Sequence, residues 1–290
     1  MAFSINTNSG AMAALQSLKV TTEGLGTVQN RINTGLNVSS TKDDSATYAI
    51  AQALRGDLGG LKAVSSSLSR AKSVTDVAVA GAEQITDVVN EMKVLARKAS
   101  DTGQTDEALT VFNNDFKALR DQITTIINSS EFNGTNLLKT GGGEVSALQS
   151  LGSSASSGSY TPDSLKVENL ELDLGTAAAS TGPGTGTLGK TSEIATAADA
   201  AKMVDTLNTF GTGLATKVSS LGSAARKIDA QISFTSRLSD TVEAGIGNLV
   251  DADLAKESAK LQALQVKQQL GVQALSIANQ APQTITSLFR

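Results

Sequence analysis

The chain is predicted to be mainly α: a long antiparallel, coiled-coil-like helical rod made from both chain ends, with a small β-hairpin or irregular insertion in the middle. Three observations predict this. Apolar residues recur at alternating spacings of three and four over several long stretches, the pattern of helices zipped along a seam. Aromatics are only 3% of the 290 residues, and Trp is absent, so a compact aromatic-rich core is not expected. Gly, Ser and Thr fill nearly half of residues 141 to 190, which reads as surface loop between the two helical halves.

The first helix follows from Leu15, Leu18, Thr22, Leu25, Gln29, Ile32 and Leu36, a 3-4 seam with two polar intrusions. Only Lys19, Glu23 and Arg31 carry charge before residue 42. Gly35 offers the left-handed stop. Thr41 and Asp44 then form a Thr-x-x-Asp pair able to cap a second helix.

That second helix carries the strongest period in the chain. From Leu54 through Asp57, Leu61, Val64, Leu68, Ala71, Thr75, Ala78, Ala82, Ile85, Val89, Met92 and Ala96 to Ala99, the 3-4 spacing never fails. Asp57 and Thr75 alone break its apolar character. At about 1.5 Å per residue this seam is roughly 70 Å long.

Asp101-Thr102-Gly103 ends it, and a third helix capped near Thr105 runs to about Ser129 with Phe112, Phe116, Leu119, Ile123 and Ile127 on its apolar face. It is short enough to fold back antiparallel on the long one. Asn133-Gly134 reads as a tight turn. Within 141 to 190 one strand is predicted, Leu165 to Leu174, with a bulge near Asn169 where the alternation changes phase. Helical period returns at Thr196, capped with Asp199, and runs through Leu207, Leu214, Leu221, Ile228 and Thr235 to Leu249. In the last segment Lys267 is the only charge between Leu261 and Phe289, and Leu264, Leu270 and Ile277 stand on more than one face.

Both chain ends are therefore helical, sparsely charged and too apolar to stand alone. A helix pair made from the two ends, buried on several sides by further copies, satisfies this pattern; before assembly the ends are expected to be disordered. The expected organisation is 1–44 with 250–290 as a terminal helical domain, 45–140 with 191–249 as a helical rod, and 141–190 as a short variable surface insertion.

Composition excludes much else. Net charge is −4 with no basic block, against nucleic-acid binding. Zero Cys and zero His exclude disulfides, thiolate or imidazole metal sites and a zinc-protease helix. No cofactor is expected. No apolar run approaches a bilayer span, and the terminal helices lack the Lys-rich face of a membrane-surface helix. The N-terminus has no secretory signal pattern, so export would use a dedicated route.

Three sets of residues, in order, resemble the bacterial flagellins. Arg31-Ile32-Asn33-Thr34-Gly35-Leu36 with Lys42-Asp43-Asp44-Ser45-Ala46 and Ala49-Ile50-Ala51 is similar to the family's N-terminal signature. Phe132-Asn133-Gly134 with Leu137-Leu138 resembles its turn after the third helix, and Ala278-Asn279-Gln280-Ala281-Pro282-Gln283 with Leu288-Phe289-Arg290 its C-terminus. The resemblance spans about 1 to 140 and 195 to 290. It implies a secreted, extracellular subunit that polymerises with itself into the filament for swimming motility. The terminal helices would form the inner tube and the long helices the outer one. It further implies a secretion chaperone on the C-terminal segment and contacts with hook-associated and cap proteins. Glu91 stands where recognised members carry Arg, which implies weak or no sensing by an animal innate receptor.

The assembly seam is accordingly expected at Leu15, Leu18, Leu25 and Ile32 at one end and Leu264, Leu270 and Ile277 at the other. Arg31, Asp43, Asp44, Asn133 and Gly134 are expected in fold and turn roles. Asp43 and Asp44 cap the second helix and favour its dipole, with a contact to Arg31 as the second reading.

Competing chemistry is weaker. Gly184 to Thr191 fits the P-loop pattern, but Ala177 to Pro183 before it is no buried strand and no βα units follow. Asp101-Thr102-Gly103 matches an aspartic-protease triplet once, at a helix end. Asn37, Asn128 and Asn133 open incidental glycosylation triplets, while Ser and Thr of 146 to 187 are the plausible O-linked positions. The rival readings are a flagellin-like hook–filament junction protein, against which Ser45 stands where such proteins tend to have Pro, and a coiled-coil adaptor.

Overall fold

The computed structural model describes residues 8–154, 160–174 and 188–288. Along them run α1 (Ser9–Thr34), α2 (Ser45–Ala99), α3 (Asp106–Ser129), β1 (Val145–Leu148), β2 (Ser153–Ser154), β3 (Tyr160–Thr161), β4 (Ser164–Val167), α4 (Ala197–Val250) and α5 (Leu254–Leu288). The fold is mainly α with a small antiparallel β insertion, as the sequence predicts. It forms two compact units, Met1–Leu58 with Asp240–Arg290 and Gly59–Ser239, and α2 and α4 contribute to both.

In the Gly59–Ser239 unit the α2 seam is buried without a gap from Leu61 to Ala99. Thr75, its polar intrusion, is fully buried and satisfied, its hydroxyl donating to the Ala71 carbonyl at 2.8 Å. Asp57 departs from the seam and is exposed; Leu58, half-buried, packs in its stead. From α4, Leu207, Leu214, Leu221, Ile228 and Thr235 are buried at seven-residue intervals, as a helical seam requires. Lys72 on α2 pairs with Asp229 on α4 at 2.5 Å, and that contact holds the ammonium above its ordinary pKa. Phe116, Ile123 and Ile127 bring α3 onto the same core.

Helix ends follow local chemistry. Thr105 Oγ1 accepts from Ala108 N at 3.3 Å at the start of α3, and Thr196 Oγ1 accepts from Asp199 N at 3.1 Å at the start of α4. Asp101 accepts from Gly103 N at 3.0 Å, a turn that closes the end of α2. After α3, Asn133 (φ 50) and Gly134 (φ 80) are both left-handed between the paired residues Phe132 and Thr135. Two successive positive φ values suit Asn followed by Gly. Asn136 then locks the connection: its amide donates to Ile127 O at 2.6 Å and its oxygen accepts from Leu138 N and Lys139 N.

The insertion differs from its sequence reading in two respects. β4 stops at Val167 and does not reach Leu174: Val145 to Leu148 pair antiparallel with Val167 to Ser164, with the β2–β3 pair nested between. Asn169 ends the ladder. Its amide donates to the carbonyls of Asn136, Lys139 and Gly143, and Glu171 turns left-handed at φ 46, so the chain leaves the sheet where a bulge was expected. Nor is the segment only surface. Val145, Ala147, Val167, Leu170, Leu172, Leu174 and Leu188 join the core. Leu148 N donates to Ser67 Oγ on α2, and Gln231 on α4 donates to Gln149 O.

Candidate functional site

The Met1–Leu58 and Asp240–Arg290 unit is built on a pair of helices from opposite chain ends. α1 and α5 run antiparallel, and the alignment is read from four places along them. Asn8 Nδ2 donates to Ala278 O at 2.8 Å. A Cβ placed on Gly271 would lie 3.3 Å from Leu18 Cδ1 and 3.9 Å from Leu18 Cβ, and one on Gly24 would lie 3.7 Å from Leu264 Cδ1. Arg31 Nη1 stands 3.7 Å from Glu257 Oε1.

The base of the pair is tied by backbone bonds. α1 stops at Gly35 (φ 71), whose N–H donates to Arg31 O. Asn37 N donates to Val250 O at 2.7 Å, and Ala252 N donates to Gly35 O at 2.9 Å. Val38, Ala51, Ile246 and Val250 form a small buried cluster beside this bridge, with Tyr48 and Leu54 packed against it. Asp253 opens α5, accepting from Ala255 N and Lys256 N.

The paired aspartates divide their work. Asp44 caps α2 by accepting from Ala46 N, Thr47 N and Thr47 Oγ1. Asp43 serves the loop before it, Oδ2 accepting from the backbone and hydroxyl of both Ser39 and Ser40. The Ser39 hydroxyl above all, then the Ser40 N–H, holds the Asp43 carboxyl below its ordinary pKa; the Thr47 hydroxyl, then the Thr47 N–H, does the same for Asp44. Arg31 pairs with neither. Its partner is Glu257, which corrects the second reading of the aspartates.

The seam residues fall into two groups. Leu18, Leu25, Ile32 and Leu264 are half-buried, and Leu18 and Leu264 meet Gly271 and Gly24 across the pair. Leu15, Leu270 and Ile277 lie outside it, 58%, 58% and 66% exposed. The face of α1 that meets α5 includes Ala11, Ala14, Thr21, Gly24 and the buried Val28, none of them in the seam read from large apolar residues. Their signal was a stripe of small residues at the same 3-4 spacing. The outward residues Met12, Leu15, Val20, Val266, Leu270, Val272 and Ile277 are each more than half exposed. On α1 and α5 only Val28 and Glu257 are fully buried among the described residues. The pair thus leaves much of its apolar surface uncovered.

Chemical sites are not evident elsewhere. Among the described residues no three His, Cys, Asp or Glu side chains are grouped to hold a metal ion, and no helix is long and apolar enough to cross a membrane. An open groove of about 610 Å³ lies between α2 and α3, lined by Glu91, Val94, Leu95, Asp115 and Leu119 among others. Gly184 to Thr187 of the P-loop match lie outside the described residues. The part within them is unsuited to phosphate: Leu188 is fully buried, Gly189 N already donates to Ser192 Oγ at 2.9 Å, and α4 begins only at Ala197.

Comparison with known proteins bears on the whole chain. The bacterial flagellin N-terminal helical region matches residues 5–141, and the bacterial flagellin C-terminal helical region matches 202–289. Among relatives, Flagellin FljM of Caulobacter vibrioides is 44% identical over 288 residues, covering 99% of this chain and 98% of its own. A flagellin of Brucella melitensis is 36% identical over 291 residues, covering 99% of each. Flagellin C of Rhizobium meliloti is 30% identical over 321 residues, again covering 99% of each.

Proposed function

The chain belongs to the bacterial flagellin family, and from that premise we propose that its paired terminal helices are the surface through which copies join. The protein is a subunit of the flagellar filament, a structural protein and not an enzyme. The observation that carries the proposal is the outward apolar set Leu15, Leu270 and Ile277 on a pair that buries so little of itself. Covering such residues with copies of the same pair removes that surface from water, at roughly 25 cal/mol per Å² of apolar area.

In the assembled filament, residues 1–44 with 250–290 form the inner tube and 45–140 with 191–249 the outer, leaving 141–190 toward solvent. Before assembly the apolar helix α5 is held by a secretion chaperone, and the chain leaves the cell by the flagellar export route. Hook-associated and cap proteins meet the same terminal helices at the filament's ends. Sensing by an innate receptor is weak, because Glu91 reverses the charge that recognised members present on this stretch of α2.

The test is electron microscopy of the purified chain after addition of a precipitating salt, beside a version lacking residues 1–44 and 250–290. Uniform tubes from the full chain alone support the proposal. Tubes from the trimmed chain would place the joining surface on the helical rod.

A further inference from the structure

Glu257 is the one fully buried charged residue among the described residues, at 4% exposure, and it lies against α1 in the helix pair. We propose that Arg31 and Glu257 are the register key of this pair: they select the alignment in which α1 and α5 meet, and act for specificity more than for stability. The inference rests on the reading of α1 and α5 as the assembly surface.

The contact is not built for strength. Arg31 Nη1 and Glu257 Oε1 stand 3.7 Å apart, beyond hydrogen-bond distance. Arg31 Nε and Glu257 Oε2 are both buried and without a hydrogen-bond partner, although guanidinium and carboxylate can close a two-legged fork. Lys260, on the same helix, supplies Glu257 with one bond at 2.5 Å. With Glu257 buried, Arg31 half-buried and the contact satisfied this poorly, the pair recovers little of its desolvation cost, so net stabilisation is not what it provides.

The apolar side chains along the two helix faces do not distinguish one alignment from another. Ala11, Ala14, Leu18 and Gly24 face Leu264, Gly271 and Ala278, small or aliphatic residues that repeat at helical spacing. Sliding one helix by a heptad keeps apolar against apolar. A heptad slip does break the backbone bonds at the base, Asn37 N to Val250 O and Ala252 N to Gly35 O, whatever side chains stand there, so these set the alignment together with the key. The slip also changes what Glu257 meets: in one direction it would face Gly24 instead of Arg31, and in the other it would pass the end of α1 at Gly35. The buried carboxylate then has no cation from the other helix, which is how a single polar position fixes register in coiled coils. Each residue also sits where its own helix dipole favours it, Arg31 in the last turn of α1 and Glu257 in the first turn of α5. A dipole role alone predicts no dependence of one residue on the other.

The chain has no Cys, so an introduced pair reports alignment cleanly. Leu18→Cys with Gly271→Cys places two Cβ atoms about 3.9 Å apart, within disulfide range. Leu18→Cys with Leu264→Cys is separated along the helix by about 10 Å and closes only after the heptad slip that seats Glu257 against Gly24. Filaments of the full chain carrying either pair are oxidised, and intramolecular bridging is read on denaturing gels apart from cross-links between copies. With Arg31 and Glu257 intact, the 18–271 bridge is expected to exceed the 18–264 bridge by about tenfold or more. Glu257→Met should lower that preference severalfold while leaving thermal stability equal or higher. Glu257→Arg should lower it too, and Arg31→Glu with Glu257→Arg should restore it. An undiminished 18–271 preference in Glu257→Met, or a swap no better than the single reversal, overturns the register key and leaves the assembly surface standing. Failure of the full chain with unaltered termini to form tubes overturns the assembly reading and the key with it.

Discussion

Asp44 and Thr47 are joined twice at the start of α2, the Asp44 Oδ1 accepting from Thr47 N at 3.1 Å and Oδ2 from the Thr47 hydroxyl at 2.7 Å. This box closes the N-terminus of a 55-residue helix immediately after the loop that follows α1. Asp44→Ala leaves the N–H groups of Ala46 and Thr47 to water. It is expected to lower the thermal midpoint by a few degrees and to increase hydrogen exchange over residues 45–50. Unchanged exchange there would show that packing of α2, not its cap, holds the first turn.

The same geometry sets an acid dependence. Hydrogen bonds from Ser39 and Ser40 lower the Asp43 pKa in the folded chain, and those from Thr47 lower that of Asp44. A depressed folded pKa stabilises the fold above the unfolded carboxylate value, near pH 4, and that contribution disappears as pH falls through the folded value. Stability of residues 39–47 is therefore expected to fall as pH drops below about 4. Asp43→Asn with Asp44→Asn should flatten this part of the pH profile. A profile that stays as steep in the double variant would assign the acid sensitivity to other carboxylates.

The long seam was legible because large side chains on α2 and α4 fall on one face for many turns, so period alone located Leu61 to Ala99 and Leu207 to Thr235. Caps at Thr105 and Thr196 and the stop at Gly35 were legible for a related reason, since each is written within four residues. The face joining α1 to α5 was less so. It is made of Ala11, Ala14, Gly24 and Gly271, whose small size lets backbones approach but contributes little to a hydrophobic pattern. Arg31 and Glu257 are far apart in sequence, and nothing local to either names the other. The end of β4 escaped for a different cause: Asn169 reaches three carbonyls, all of them before β1 begins, and no alternation of residue type encodes that.

Gly81 marks a core position where size is decisive. A Cβ there would fall 2.2 Å from Ser130 Oγ and 2.9 Å from Leu138 Cδ1. Ser130 cannot turn aside freely, because its hydroxyl donates to Ile126 O at 2.7 Å at the end of α3. Gly81→Val is expected to destabilise the Gly59–Ser239 unit by about 1–3 kcal/mol or more through overpacking. Chemical denaturation of the purified chain measures it, and Gly213→Val is the control, since nothing lies within 4 Å of a Cβ at that glycine. Equal losses in the two variants would mean that helix propensity, not the Ser130 contact, governs Gly81.

Lys190 separates a structural reading from an enzymatic one. It stands in the Gly184 to Thr191 run that fits a phosphate loop, where an essential Lys would reach the phosphates of a bound nucleotide. Here Lys190 is exposed, and the N–H of the neighbouring Gly189 is already donated to Ser192. Phosphate binding would have to break that bond and uncover Leu188, while the start of α4 lies several residues downstream. Lys190→Ala is therefore expected to assemble as the unaltered chain does, with the same thermal midpoint and no nucleotide-dependent shift in either protein. A midpoint that rises with added ATP and magnesium in the unaltered chain, and not in Lys190→Ala, would require a nucleotide site at this turn.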